Sequence, residues 1–277
     1  MKNNKLIPIL IFLLNINAMI AQQKYMTFNI RFDNPADGED RWELRKEELC
    51  NSIRKHDPDF LGIQEALPNQ VEYIDSRLEE YSYFGFGRDG EGSQSESVPI
   101  FYKSDIYELL AAEVFWLSET PEIPSRGWDA ALNRITTYGS FLNRQTQDTI
   151  HVFNTHYDHR GEKARVNSSH LLVSKLQTLK LLSAKVILMG DFNSRPEEEP
   201  VRILNETLDD AFASSENKVP EPFGTFNGFD PGAKLDQRID YIFSLNFKVL
   251  SYTAAHDKRD NGRWISDHLP VIAVTAE

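Results

Sequence analysis

Lys185-Val-Ile-Leu-Met-Gly-Asp-Phe-Asn-Ser194 decides how the chain is read: an apolar run of strand length stops at a glycine and delivers two polar side chains, Asp191 and Asn193. In extended backbone, residues two apart point the same way, so the carboxylate and the amide share one mouth of the strand while Phe192 turns back into the core. A carboxylate there is able to take a proton or meet a metal. The same ten residues also read as a strand followed by an ordinary turn, for which Asp and Asn are common choices. Partners elsewhere in the chain decide between the two.

Working outward, residues 168–182 carry leucines at 171, 172, 176, 179 and 182, the spacing of a helix that packs on a sheet and feeds the strand. Residues 149–156 alternate as a strand and end on Asn154 and His156, again two apart. Toward the N-terminus, residues 24–31 alternate with Asn29 and Arg31 on one face, and residues 59–65 form an apolar strand that ends on Glu65. Helices are expected over 41–55 and 68–78, and strands over 81–87, 99–102 and 107–117. A surface loop over 118–128 precedes a strand that restarts at 133–138. Toward the C-terminus, 196–212 reads as one helix after a proline start, and 219–234 as a Gly/Pro-rich loop. Strands follow at 238–243 and 247–252, then a polar loop at 257–263. The apolar end of 265–274 supplies a last strand. No composition shift divides the chain and no internal repeat is visible.

The 277 residues are 40% hydrophobic and 26% charged, enough for a sizeable core and without a disorder signature. Met1-Lys-Asn-Asn-Lys5 precedes an apolar run from Leu6 to Leu14 and then Ala18-Met-Ile-Ala21. That is the order of a secretory signal, so residues 1–21 are expected to be a signal peptide and 22–277 the mature domain. The run is too short to span a bilayer. Cys50 is the only cysteine; it lies far from the cleavage site, so neither a disulfide framework nor a lipid-bearing N-terminal cysteine is available. A soluble product in the periplasm or outside the cell is expected, acting as a monomer. The net charge of −12 repels polyanions and acidic membranes, while acidic clefts collect divalent cations. Without a Cys/His cluster of zinc type, an oxygen-bound hard metal is the natural candidate.

Six strand ends or near-ends thus carry Asn29, Glu65, Asn154 with His156, Asp191 with Asn193, Asp240, and Asp267 with His268. Layered α/β folds gather strand ends at one rim, so these groups can converge from distant parts of the sequence. The motifs Thr-Phe-Asn29-Ile-Arg31, Ile-Gln-Glu65, Asn154-Thr-His156, Gly-Asp191-Phe-Asn193, Ile-Asp240-Tyr-Ile-Phe and Ser-Asp267-His268, in this order, resemble the endonuclease/exonuclease/phosphatase superfamily. That superfamily includes DNase I-like nucleases, sphingomyelinases and inositol-phosphate phosphatases. The resemblance runs from Lys24 to Ala276. It implies a four-layer α/β sandwich, two packed mixed β-sheets flanked by helices.

The resemblance also implies roles. Glu65 would be the principal ligand of Mg²⁺ or Mn²⁺, with Asn29 beside it and Asp267 a further ligand. Asp191 would orient or deprotonate the attacking water, and Asn193 would hold that water or a phosphoryl oxygen. His268, positioned by Asp240, and His156 would donate hydrogen bonds to the phosphate. Glu96 matches the place of a carboxylate partner for His156, and Arg134 that of a phosphate clamp. His151, His159 and His170 read as structural histidines. The blocks Phe115-Trp-Leu-Ser-Glu-Thr-Pro121, Gly127-Trp-Asp129 and Asp158-His-Arg-Gly-Glu-Lys-Ala-Arg165 resemble an exported bacterial subgroup.

The activity implied is a secreted, metal-dependent phosphodiesterase or phosphatase acting on a small or lipid-derived phosphoester. A secreted DNase I-like nuclease is the second reading, and a catalytically inactive binding module of the same fold the third. The full set of matched residues argues against the inactive module, and the acidic charge against nucleic acid. Arg160, Lys163 and Arg165 fit either a distal phosphate or a solvated loop. Selectivity is expected from the loops 87–96, 118–129 and 159–169.

Overall fold

Alternation along the first strand sets the layering. In β1 (Gln22–Asn29) Met26 and Phe28 face helices, while Tyr25, Thr27 and Asn29 face a second sheet. This computed structural model describes residues 22–217 and 222–276; the signal peptide expected over residues 1–21 lies outside them. After β1 come α1 (Lys46–His56), β2 (Phe60–Gln64), α2 (Pro68–Asp75), β3 (Tyr81–Phe84) and β4 (Ile100–Lys103). The second half of the alternation begins with β5 (Tyr107–Trp116), β6 (Ile135–Asn143), β7 (Thr149–His156), α3 (Glu162–Thr178) and β8 (Lys185–Asp191). The chain closes with α4 (Glu199–Asn205), β9 (Asp209–Asp210), α5 (Ala211–Ser214), β10 (Asp240–Leu245), β11 (Lys248–Ala254) and β12 (Val271–Ala276).

The strands form two six-stranded sheets, in the orders β11-β12-β1-β2-β4-β3 and β5-β6-β7-β8-β10-β9. Each is mixed: β1 pairs parallel with β2 and antiparallel with β12, and β8 pairs parallel with β7 and antiparallel with β10. Tyr25, Phe60, Phe141, Ile150, Ile187, Met189 and Ile242 fill the space between the sheets. Leu49, Ile53, Val71 and Ile74 cover one outer face; Leu172, Leu176, Val201 and Leu204 cover the other. The result is the expected four-layer sandwich, whose buried aliphatic side chains contribute about 1.5–3 kcal/mol each. Among the described residues, no helix is long and apolar enough to cross a membrane.

Several boundaries depart from the sequence reading, each for a local reason. The helix expected from 168 begins at Glu162, because the Asp129 carboxylate accepts the N–H groups of Lys163 and Ala164 at 3.3 and 2.7 Å. A cap supplied from a distant loop leaves no local signature. The segment 159–169 is therefore mostly helix rather than loop. The strand expected to stop at 138 runs to Asn143, carried through Gly139, where a Cβ would stand 2.6 Å from the Phe141 ring. The single helix expected over 196–212 is broken: α4 starts only at Glu199, with Pro200 in its first turn, a short bridge forms at Asp209–Asp210, and Asp210 then caps α5 through the Phe212 N–H. The first strand ends at Asn29, since Arg31 has left-handed backbone (φ 55°), so Arg31 does not continue its face.

Candidate active site

The parity seen in β8 fixes Asp191. Ile187 and Met189 face the opposing sheet, and Asp191, next in that series, lies at the strand's end, 1% exposed. Gly190 is required behind it: its φ is +152° and a Cβ there would sit 2.0 Å from the Thr155 carbonyl oxygen. Alternation ends at this point. Asn193 has φ 46° and is placed by a turn in which its own N–H donates to Asp191 Oδ1 at 2.9 Å, so the two side chains do not share a strand face. Its amide Nδ2 donates to the Tyr157 carbonyl at 3.1 Å. Phe192 is buried under α3 and α4, as the sequence leads one to expect.

Three side-chain nitrogens converge on Asp191 Oδ2: Asn29 Nδ2 donates at 3.0 Å, and His156 Nε2 and His268 Nε2 stand at 3.5 and 3.8 Å. They come from β1, from β7 and from the turn before β12. Asp240 opens β10 directly opposite Asp191; its Oδ2 accepts Thr225 Oγ1 at 2.5 Å and faces His268 Nδ1 at 2.9 Å. The segment around Thr225 is itself tied down, with Leu269 N–H donating to the Thr225 carbonyl at 2.6 Å and Asn227 N–H to that of Asp267 at 2.8 Å. Asp240 thus holds His268 as the resemblance implies.

His156 is oriented differently. No carboxylate lies on its Nδ1; the Arg134 guanidinium does, with Nη1 at 3.2 Å. A guanidinium only donates, so His156 Nδ1 accepts and the ring proton sits on Nε2, aimed at Asp191. Arg134 Nη2 also lies 2.9 Å from His159 Nδ1, and its Nε donates to Asp158 Oδ1 at 3.4 Å. Glu96, expected beside His156, instead pairs with Arg88 at 2.7 Å. The correction has a plain cause: the loop from Arg88 to Glu96 closes on itself, with the Arg88 N–H on the Glu96 carbonyl at 2.9 Å. Arg134, 5% exposed and engaged on three sides, is placed as a support for the histidine rather than as a free clamp.

On the other sheet, Glu65 follows β2 with φ 64°, and its two oxygens accept Asn29 Nδ2 and Phe32 N–H, each at 3.1 Å. Asn29 therefore bridges Glu65 and Asp191 through its nitrogen. Its Oδ1 accepts the Arg31 N–H at 3.0 Å, which leaves that oxygen one lone pair. Asp267 lies near Glu65, with Arg31 Nη1 at 3.9 Å. Arg45 underlies this side: fully buried, it donates to the carbonyls of Asp40, Ile30, Arg31 and Ile265, tying together the loops that carry Asn29 and Asp267.

The electrostatics follow from burial and crowding. Burial, with the Asp240 carboxylate beside it, pushes Asp191 up to about 7. Burial also raises Asp267, an effect opposed by His268 and reinforced by Glu65, to about 6. Burial and then the Arg134 charge hold His156 well below the usual histidine range, hence neutral. Burial alone would lower His268, but the carboxylates of Asp240 and Asp191 outweigh it and raise the ring well above that range.

Glu65 and Asp267 suit a hard divalent cation: they bring two neighbouring carboxylates together, and each Glu65 oxygen, accepting one hydrogen bond, keeps a lone pair. Asp191, Asp240 and His268 also bring potential ligand atoms within 4.8 Å of one another. There, however, Asp240 Oδ2 and His268 Nδ1 are already bound to each other, so that trio reads as a hydrogen-bonded relay.

Sequence reasoning missed Asp158, Arg88, Arg45 and Thr225. Asp158 is the nearest to having been visible, two residues beyond His156. Asn154, grouped with His156 on the sequence, is not at the site: its Nδ2 donates to the carbonyls of Ile63 and Pro99 at 2.9 and 2.8 Å, and its Oδ1 accepts Gln64 Nε2 at 2.6 Å. His151 bonds Tyr138 Oη at 2.9 Å, a structural role as expected. Of the basic trio, Arg165 reaches back to the Asp158 carbonyl at 3.3 Å, Arg160 precedes α3 and Lys163 lies in its first turn. A cavity of about 810 Å³ beside Phe212, Phe223 and Lys234 contains none of the site residues.

The chain is similar to known proteins in both sequence and fold. The model of the endonuclease/exonuclease/phosphatase family matches residues 26–268. A mannosyl-6-phosphatase from Bacteroides thetaiotaomicron superposes with a TM-score of 0.88 at 33% identity, covering 92% of this chain and 100% of that one. A family protein from Bacteroides vulgatus gives a TM-score of 0.87 at 32% identity, with 93% and 100% covered. An uncharacterised protein of Acanthamoeba polyphaga mimivirus is 28% identical over 251 residues, 84% of this chain and 92% of that one. With the sequence match spanning both sheets and every strand end of the site, the chain belongs to the endonuclease/exonuclease/phosphatase family.

Proposed function

We propose that the chain hydrolyses phosphoesters of small molecules, with a divalent cation, Mg²⁺ or Mn²⁺, held by Glu65 and Asp267 and with Asp191 as the base for the attacking water. The observation that carries this reading is the convergence on Asp191 Oδ2 of Asn29, His156 and His268 within 3.8 Å. When bound, the cation would act as a Lewis acid on the phosphoryl group.

The chain's own groups do the rest. Asp191, fixed by Asn29 and by the Asn193 N–H, takes a proton from water. The water oxygen bonds to phosphorus as the bond from phosphorus to the leaving oxygen breaks, and that oxygen takes a proton from solvent, giving an alcohol and a phosphate. His156 and His268 donate from Nε2 to the phosphoryl oxygens as charge shifts onto them. One preorganised donor of this kind is worth about 10²–10³ in kcat. Burial of both histidines beside Asp191 keeps these donors out of competition with water.

A small substrate is favoured over nucleic acid by the net charge of −12 and by the solved neighbour described as a mannosyl-6-phosphatase. The leader-like residues 1–21 support export.

The test is turnover by purified protein with Mg²⁺, Mn²⁺ or EDTA on p-nitrophenyl phosphate, bis-p-nitrophenyl phosphate, inositol phosphates and plasmid DNA. Metal-dependent hydrolysis of a small ester is expected, with most activity lost in Asp191→Asn and His268→Ala proteins that still fold. Absence of metal-dependent turnover on every substrate sinks the reading.

A further inference from the structure

A recess of about 500 Å³ opens at the same end of the sandwich, between Phe32 and Asp33 on one side and Arg88, Asp89, Gln94 and Glu96 on the other. It adjoins the hydrolytic centre twice. Phe32 donates its N–H to Glu65 at 3.1 Å, which sets one wall beside the metal-side carboxylate. Arg88 and Glu96, joined at 2.7 Å, also line the narrow cleft that reaches His156 and Arg134. A phosphoester whose phosphorus lies beside Asp191, between the His156 side and the Glu65 side, has this space available for its leaving group.

The lining specifies what that group is. Three carboxylates face one guanidinium, and Glu96 already neutralises it. Two other cations stand nearby and both are engaged: Arg31 stacks over the Phe32 ring at 4.6 Å and is paired to Asp37 at 3.0 Å, and Arg134 is bound to Asp158 and His156. A nucleic-acid backbone or a polyphosphorylated ring needs unpaired cations and would be repelled here. Hydroxyl groups would not. Asp89 is held through Oδ1 by Asn133 at 3.0 Å, and Asp33 through Oδ2 by Asn69 at 2.9 Å. In each the second oxygen has no hydrogen bond among the described residues, an oriented acceptor for a ligand O–H. Gln94 adds an amide able both to donate and to accept, and Phe32 and Leu67 add apolar surface for the C–H face of a ring.

We propose that this recess binds a neutral polyhydroxyl leaving group, so that the substrate is a sugar phosphate. The proposal rests on the phosphoester hydrolysis argued above and assigns Asp33, Asp89 and Gln94 to recognition of the sugar.

Two measurements test it. In the first, kcat/KM of the full-length mature chain with Mg²⁺ is compared for mannose 6-phosphate, glucose 6-phosphate, inositol hexakisphosphate and p-nitrophenyl phosphate. The wild type should prefer a hexose phosphate, and Gln94→Ala and Asp89→Asn should each lower the ratio of hexose phosphate to p-nitrophenyl phosphate about tenfold. An unchanged ratio in both variants, or a wild-type preference for the polyphosphate, overturns the assignment. In the second, calorimetry reads hexose 6-phosphate binding to Asp191→Asn protein, and adding Gln94→Ala should weaken it about tenfold. Equal affinity overturns the recess, whereas intact sugar-dependent binding without turnover in the wild type overturns the hydrolase reading and leaves the recess standing.

Discussion

Arg134 donates to His156 Nδ1 across 3.2 Å, so the histidine at the end of β7 is held by a cation where a carboxylate was expected. The consequence is a neutral ring with one tautomer, a fixed donor that cannot also deliver a proton as an acid. Replacing Arg134 with Lys keeps the charge but loses the fork that spans His156, His159 and Asp158. Arg134→Lys should lower kcat by about 10–100-fold with little change in KM, less than the roughly 10²–10³ that outright loss of one transition-state donor costs. Nitrogen-15 chemical shifts of the His156 ring should move from the Nε2–H pattern toward a mixture; an unmoved tautomer with normal kcat rejects the role.

Asp240 offers a complementary experiment. Its Oδ2 faces His268 Nδ1 at 2.9 Å, and an amide at that position keeps the volume while losing the negative charge. Asp240→Asn should lower kcat by about 100-fold or more, as expected when the group that orients a catalytic histidine is neutralised. Circular dichroism should stay that of the wild type. Unaltered turnover would remove Asp240 from the relay.

Asp158 carries a stability prediction with a definite sign. Burial alone would raise this carboxyl, but the N–H groups of Gly161, Ala131 and Arg160 and the Arg134 charge outweigh it and hold it at about 2. Its folded value is below that of an unfolded aspartate, about 3.9, so the stabilisation is fully present above pH ~4 and is lost as the pH falls toward 2. The linked contribution is about 2–3 kcal/mol. In urea melts from pH 6 to pH 2, Asp158→Asn should flatten the acid limb of the stability curve; a parallel curve contradicts this.

Gly190 is constrained by backbone, not by a movable side chain, since a Cβ would meet the Thr155 carbonyl oxygen at 2.0 Å. Gly190→Ala should destabilise the protein by about 3 kcal/mol or more, a cost reserved for strain of this kind. For a chain of this size that is roughly 6–12 °C in Tm. A variant with wild-type Tm would show that β7 and β8 can spread without penalty.

The layering and the rim were legible because both rest on alternation. Ile187, Met189 and Asp191 keep one parity, and Tyr25, Thr27 and Asn29 another, so a reader of the sequence can carry a side chain to the correct mouth. What failed depended on contacts between distant segments. Asn193 and Arg31 left the extended region, which periodicity does not register. Glu96 was drawn to Arg88 eight residues away, while Arg134, just before the neighbouring strand β6, took its place at His156. The start of α3 was set by Asp129, more than thirty residues upstream. In each case a side chain chose among several chemically adequate partners, and only the packed chain ranks them.

Asn154 crosses from β7 to the carbonyls of Ile63 and Pro99 in the opposite sheet, and Gly62 makes room for it, since a Cβ there would meet its Cγ at 2.7 Å. Glu65 belongs to one sheet; Asp191, His156 and Asp240 belong to the other. Apolar faces resist separation but slide cheaply, and a slip of one sheet over the other would carry Glu65 out of line with Asp191. A polar crossbar two residues from His156 turns that seam from a lubricated joint into a keyed one. The distance between Glu65 and Asp191 is thereby set by hydrogen bonds to backbone, which sequence drift in the surrounding core leaves in place.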